Sequence, residues 1–395
     1  MSTRNISSFN SFTTETSNVR DVSTRLLTLE PDRTPLYVLT NNSKRKVNVF
    51  SPRIEWFQDA DLVMLGTANA AVANTTTANT VSVVDSTLFG VNDVVAVQMT
   101  NAATSTVEEL IQVVTSAANV LTVTRAFAGT TVNTIGSGTT LKILGVAQSE
   151  AGAIDVPRTP IKTPCTSGAQ IFEWPIQITR TAAATKIYGD RPERARLQWL
   201  GMRRQKLEIE NAGLFSSFSE QLNGTATKYT TMGIRSIISS YLTDGGGTTT
   251  PTTLMVFLNW SRFAFRYGSP EKLLMASPLV KEAMDYWAVN KALTKAEDKV
   301  FGVSLKRFVT SNGNWLIANN YNFDAGVQGE ALGIDLPSVE FCPLVENGIN
   351  LDTKMYPDYD TTNPKVMKDL IMTQAGWRIW HQARHARLYD VGAFA

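Results

Sequence analysis

Between residues 81 and 147 the chain holds only six charged residues: Asp85, Asp93, Glu108, Glu109, Arg125 and Lys142. Apolar runs recur there, at 81–84, 94–97, 110–114, 120–123 and 141–144. Leu121 and Val123 alternate with Thr122 and Thr124, the period-two pattern of a half-buried strand. Turn residues at 116–119 and 136–138 separate the runs. Five short strands at this spacing predict a small all-β barrel or sandwich. The rest of the fold must accommodate this block as an insert.

The chain has 395 residues, a prior of two or three domains at about 150 residues each. Charged residues make up 18%, below the roughly 25% of an average globular chain. Lys and Arg number 37 against 35 Asp and Glu, a net charge of +2. This balance excludes a strongly basic nucleic-acid binder and an acidic disordered chain. Two cysteines, Cys165 and Cys342, exclude a disulfide scaffold and a four-cysteine zinc site. Met1 to Arg20 is rich in Ser, Thr and Asn and does not read as a targeting signal. No apolar run approaches the roughly 18 residues that span a bilayer. A cytoplasmic origin with reduced thiols is expected, and no membrane.

Residues 1–29 read as a polar arm that docks on a partner or stays mobile. Residues 30–80 read as extended chain, because Pro31, Pro35 and Pro52 break helix. Within them, 66–80 is a low-complexity run of Ala, Asn and Thr, and reads as a linker. Extended chain returns at 148–180, with a strand through Ile176 and Ile178. The clearest helix spans 191–215, with Asp190 as cap and Glu193 completing a capping box. Leu197, Leu200, Leu207, Asn211 and Leu214 share a stripe; Arg194, Arg196, Arg203, Arg204 and Lys206 lie on the polar side. Farther on, 254–258 reads as a strand, Ser277-Pro278 starts a helix, and Asn312-Gly313 turns a hairpin. In the tail, 369–373 and 377–380 read as separate strands. The whole is α+β with an all-β insert.

Catalytic chemistry finds no foothold. His381 and His385 stand four apart, but Gln382 follows the first where a zinc protease has Glu. They read as ordinary surface or interface histidines. No phosphate-binding loop and no nucleophile elbow occur. Paired acids Asp59/Asp61 and Glu108/Glu109 read as turn and surface groups. Lys44-Arg45-Lys46 and Arg203-Arg204-Gln205-Lys206 lack interleaved aromatics and read as salt-bridging clusters at subunit contacts. An arm, extended loops, a helical spine and no reaction site describe an assembly subunit. No catalytic residue, cofactor or metal is expected.

The order of motifs carries a resemblance. Glu30-Pro31-Asp32-Arg33-Thr34-Pro35-Leu36 resembles E-P-x-x-T-P-L, and Glu55-Trp56-Phe57-Gln58-Asp59 resembles E-W-x-x-D, in tailed-phage major capsid proteins of the Hong Kong 97 fold, SU-ten-like branch. Leu88 to Val95 resembles that family's L-F-x-V-G-D-V-V, with Asn92 in place of Gly. Val123 to Thr130 resembles V-x-R-G-x-x-G-T, with Ala126 in place of Gly. Gln170-Ile171-Phe172, Ile178 to Ala182, Glu208-Ile209-Glu210 and Met232-Gly233-Ile234 follow in the family's order.

The resemblance implies an α+β Hong Kong 97-like capsid fold with an inserted small all-β barrel domain. Its parts would be an N-terminal arm (1–29), an extended loop region (30–80 and 148–180) and the insert (81–147). A peripheral domain (181–222 and 339–395) would hold the spine helix, and an axial domain would span 223–338. The implied function is self-assembly into hexamers and pentamers of an icosahedral phage head enclosing double-stranded DNA. Portal, scaffold and decoration proteins are the implied partners, with weak non-specific contact to DNA. The virion is the implied location, after assembly in the host cytoplasm. Glu55, Trp56, Asp59, Lys44, Arg45, Lys46, Arg203 and Arg204 are the expected subunit-contact residues. A tail or head-decoration subunit, or a glycan-binding protein using the β insert, are the alternatives.

Overall fold

A computed structural model describes residues 34–41, 45–59, 64–98, 109–150, 162–185, 192–223, 226–239, 242–246, 252–289, 294–300, 303–323, 329–346 and 348–392. The chain divides into two units, residues 57–163 and the remainder.

In residues 57–163 six strands pair antiparallel, in the spatial order Leu65–Thr67, Thr140–Val146, Asp93–Gln98, Glu109–Ala117, Val120–Thr124 and Thr80–Ser82. The first and last meet: Asn69 N–H donates to Ser82 O at 2.8 Å, and Val84 N–H to Thr67 O at 3.0 Å. The ladder thus closes on itself, which removes open edges. Alternate residues point inward, and Val81, Val95, Val97, Ile111, Val113, Leu121 and Leu141 form the core. The five expected apolar runs lie in these strands or run directly out of them. Residues 66–80 are not a linker. Ala68 and Val72 are buried, and Val72 exchanges both backbone hydrogen bonds with Ile135. Small residues are needed there because Gly66 sits directly against the Phe89 ring.

Glu109 also departs from expectation. It is buried, not a surface acid, and takes a bidentate fork from Arg125, whose side chain is equally buried (2.7 and 2.8 Å). Ala126 and Asn133 N–H groups donate to the same carboxylate. Burial works to raise this carboxyl, but the Arg125 fork and the two N–H groups outweigh it and hold it below its usual range. Arg125 also donates to Ala73 O and Ala78 O, and so pins the low-complexity segment. Asn92 and Ala126, which replace glycines of the family pattern, both keep positive φ, at 65° and 54°. Asn tolerates that region; Ala does so at a cost of about 1 kcal/mol.

The larger unit holds six helices among the described residues: α1 (Pro35–Thr40), α2 (Arg180–Ala184), α3 (Glu193–Phe215), α4 (Ile234–Ile237), α5 (Leu254–Ala264) and α6 (Pro278–Val289). Its first sheet is built on one strand, Val366–Ile379, which pairs with Gln170–Thr179, Val339–Pro343 and Lys354–Tyr356, all antiparallel. The tail therefore forms one 14-residue strand rather than two short ones. Ala375 and Gly376 bridge the expected gap, because Gly376 lies against the Gly168 carbonyl and leaves no space for a side chain.

A second sheet has seven strands in the order Leu242–Asp244, Ala386–Tyr389, Ala331–Ile334, Glu271–Ala276, Gly313–Asn319, Val303–Thr310 and Thr294–Val300. α5 and α6 share an aromatic core with it, where Trp260 stacks on Trp315 at 4.8 Å. Residues 254–258 are thus helical, not a strand. The apolar run continues as Phe257, Trp260, Ser261 and Ala264, a buried stripe at helical spacing. The hairpin expected at Asn312-Gly313 forms, with Thr310 opposite Gly313. The strand Ala386–Tyr389 joins this second sheet, so the segment 339–395 is shared between the two sheets. Pro35 starts α1 rather than breaking it, since a proline at the first helical position gives up no bonded N–H. Asp190 lies outside the described residues; Pro192 stands at the cap of α3, and Glu193 pairs with Arg196.

Two substitutions test these contacts. Glu109→Gln leaves Arg125 buried without its counter-charge, and should destabilise residues 57–163 by about 3–5 kcal/mol; limited proteolysis should then cut first within 66–80. A Cβ at Gly213 would meet the Trp377 ring at 2.7 Å. Overpacking costs about 1–3 kcal/mol and Ala adds about 1 kcal/mol of helix propensity, so Gly213→Ala should cost about 1 kcal/mol net in urea denaturation.

Candidate functional site

Helix α3 is seated on the long strand by polar and glycine residues. Arg194, Gln198, Gly201, Gln205, Ile209 and Gly213 recur at intervals of three and four, hence on one face. Arg194 grips Asp369 through Nε (2.8 Å) and Nη2 (2.5 Å), and Gln198 Nε2 donates to the same carboxylate at 2.7 Å. Gln205 Nε2 donates to the Phe172 and Ile371 carbonyls. Gly201 lets Trp174 and Ile371 approach, and Gly213 lets Trp377 approach. From Arg194 to Gly213 the helix rises about 28 Å at about 1.5 Å per residue. From Asp369 to Trp377 the strand advances about 26 Å at about 3.3 Å per residue. The two anchors therefore match in spacing. Buried Glu210 ties in α1, accepting Leu36 N–H (3.0 Å), Tyr37 N–H (2.7 Å) and Asn320 Nδ2 (2.9 Å).

This seating brings Leu214 of the expected apolar stripe into the core but leaves its first three leucines outside it. Leu197, Leu200 and Leu207 line an open groove of about 510 Å³, with Trp174, Pro175, Ile176 and Gln177 from the neighbouring strand. Arg203 and Arg204 complete its lining. Arg203 lies over the Trp199 ring at 4.8 Å and Arg204 over Trp174 at 5.9 Å. Arg204 also pairs with Glu208 one turn on.

The other expected contact residues are scattered. Lys44 lies outside the described residues. Arg45 is half-buried, and burial lowers its guanidinium. Lys46 pairs with Asp352 of its own chain. Glu55 is exposed and pairs with Arg53 at 2.7 Å. Trp56 is buried beside Trp380, with ring centroids 6.2 Å apart, and serves internal packing. Asp59 is exposed. Among the described residues of that set, only Arg203 and Arg204 meet at a groove. Sequence reasoning missed Arg194–Asp369, whose one signal was an acid inside an apolar strand pattern.

His385 is not a surface residue. It is fully buried; Nδ1 accepts the Asp335 N–H at 3.3 Å, and Nε2 lies 3.2 Å from the Trp380 carbonyl, which can only accept. The ring is thereby fixed neutral with its proton on Nε2. Lys272, also buried, donates to the carbonyls of Ala264, Tyr267 and Arg384. Burial pushes Lys272 down to about 8, and burial with Lys272 nearby pushes His385 down to about 4. No group of three or more metal-ligating side chains occurs among the described residues.

A helix seated along a long strand, beside a second sheet with its own helices, is the Hong Kong 97-like fold of tailed-phage capsid subunits. The capsid asymmetric unit of cyanophage A-1(L) matches at 9% identity over 97% of this chain and 99% of that chain, with a TM-score of 0.54. A chain of Mycobacterium phage Bobi matches at 9% identity over 98% of this chain and 100% of that chain, with a TM-score of 0.50. At such identity the likeness shows the fold. No curated protein sequence matches the chain. The chain belongs to the SU10 major capsid protein family, which it matches over residues 5–392. It is a capsid-forming structural protein of a virion.

Acid should therefore loosen this protein in two steps. The folded state disfavours protonated His385, so that contribution is complete above pH 6.5 and fades as pH falls towards 4. The displacement corresponds to about 3 kcal/mol. Asp369, held at about 2 chiefly by Arg194, contributes above its ordinary 3.8 and is lost below it. Urea midpoints measured from pH 7 to pH 3 should fall in that order, and His385→Gln should flatten the first step.

Proposed function

We propose that this subunit assembles into the hexamers and pentamers of an icosahedral phage head that encloses double-stranded DNA. The observation that carries this is the family match across nearly the whole chain, together with an apolar groove left open beside the spine helix. Self-assembly supplies a cover for Leu197, Leu200 and Leu207, which the described residues of one copy leave open. Exposed Glu55 and Asp59, and the groove arginines Arg203 and Arg204, take part in contacts between subunits; Lys44 and Arg45 join them. Charges are depleted from contact surfaces because desolvating them is costly, which fits a chain with 18% charged residues. The net charge of +2 keeps contact with packaged DNA weak and non-specific. Portal, scaffold and decoration proteins are the further partners, assembly takes place in the host cytoplasm, and the subunit has no enzymatic activity of its own.

Cryo-electron microscopy of particles formed by the expressed chain tests this. Closed shells with five-fold and six-fold capsomers are expected; only monomers or small rings under all assembly conditions would refute it. Deleting residues 1–29 should leave a folded subunit with a lower particle yield. Unchanged yield and particle stability would show that the arm has no docking role.

A further inference from the structure

α5 and α6 pack together over the seven-stranded sheet, with the Phe257 ring of one 5.5 Å from the Trp287 ring of the other. Their buried stripes face that core. Their outward stripes differ in sign. On α5 and the residues just after it, Met255, Arg262, Phe263 and Arg266 are exposed at helical spacing. On α6, Glu282, Asp285 and Tyr286 are exposed, again three and four apart. Both stripes also carry large exposed apolar groups: Met255 is 67% exposed, Phe263 46% and Tyr286 59%. Arg262 leans on the Phe263 ring and Arg266 on the Tyr267 ring. Among the described residues neither arginine forms an ion pair, and neither do Glu282 and Asp285. The two helices therefore lie side by side with opposite charges that do not meet within one chain.

We propose that the α5 stripe of one subunit docks on the α6 stripe of a second copy of this chain. Arg262 and Arg266 face Glu282 and Asp285 across the contact, and Met255, Phe263 and Tyr286 cover one another at its centre. Pairing α5 with α5 would set arginine against arginine, and pairing α6 with α6 would set acid against acid. The contact therefore joins two different patches, and each copy offers one of each to a successive neighbour, as in a closed ring. This deepens the self-assembly reading and rests on it, and it identifies the surfaces that meet.

Charge reversal tests the contact. Arg262→Glu with Arg266→Glu gives a subunit with two acidic stripes; Glu282→Arg with Asp285→Arg gives one with two basic stripes. Each variant, shown to be folded by circular dichroism, should lose about tenfold or more of its sedimentable particles, since like charges set face to face are strongly disfavoured. Combining all four reversals in one chain should restore particles, and mixing the two variants should restore six-membered capsomers, around which they can alternate. The mixture keeps the test decisive if the fourfold variant misfolds. Normal assembly of either double variant would overturn the proposal. So would failure of the mixture, or loss with the arginine variant alone, which would show that the basic stripe meets something other than α6. The unmodified chain is assembled in parallel. Shells from it, alongside unimpaired double variants, would overturn the α5–α6 contact and leave self-assembly standing.

Discussion

The seating of α3 on the strand Val366–Ile379 is the constraint on which the larger unit depends. Its two ends are held by different physics. At one end an arginine fork and a glutamine amide saturate Asp369. At the other a missing Cβ at Gly213 admits the Trp377 ring. The first end is directional and fixes register, because a bidentate fork tolerates little slip. The second fixes distance, because a close-packed ring cannot approach a larger residue. Once both are set, Glu210 is placed to receive α1 and Asn320, and Gln205 to bind the open carbonyls of Phe172 and Ile371.

Holding the helix with polar and glycine residues has a consequence for assembly. Leu197, Leu200 and Leu207, which would ordinarily bury themselves, are turned to the groove. An apolar surface of this kind on a single subunit is a store of association energy, since covering it removes it from water. In residues 57–163 the same economy of charge takes another form. The Glu109–Arg125 pair is buried and fully hydrogen-bonded, and Arg125 gives its remaining donors to the Asn133 carbonyl and to two carbonyls, Ala73 and Ala78, of a segment without a strong pattern of its own. A buried pair of this kind adds little net stability, but it specifies one arrangement of the chain around it.

Much of the architecture could be read from residue patterns. Strands in the 81–147 block follow period two, and α3 follows its helical spacing to within two residues at its start. Motif order named the family that the whole chain then matched. Other elements could not be read. The run at 254–258 is too short to separate strand from helix, and the core contacts of Phe257 and Trp260 decided it. Pro35 reads as a helix breaker, yet it starts α1, whose first N–H groups find Glu210. His385 and Glu109 read as surface groups in the sequence because a polar residue's burial depends on partners far along the chain: Asp335 lies fifty residues from His385.

The amino-acid sequence by itself determined the periodicities, the all-β block and the family. It did so because these rest on neighbours a few residues apart and on motifs in fixed order. Only the tertiary structure decided which face of each element is inward. α3 has two plausible faces, one of leucines and one of polar residues and glycines; the polar one is buried, and of the leucine stripe only Leu214 enters the core. The reason is that Asp369 and the carbonyls of Phe172 and Ile371 come from strands distant in sequence, and a buried acceptor must find a donor. The same holds for α5 and α6, whose opposite charges became neighbouring surfaces only when both helices packed on one sheet.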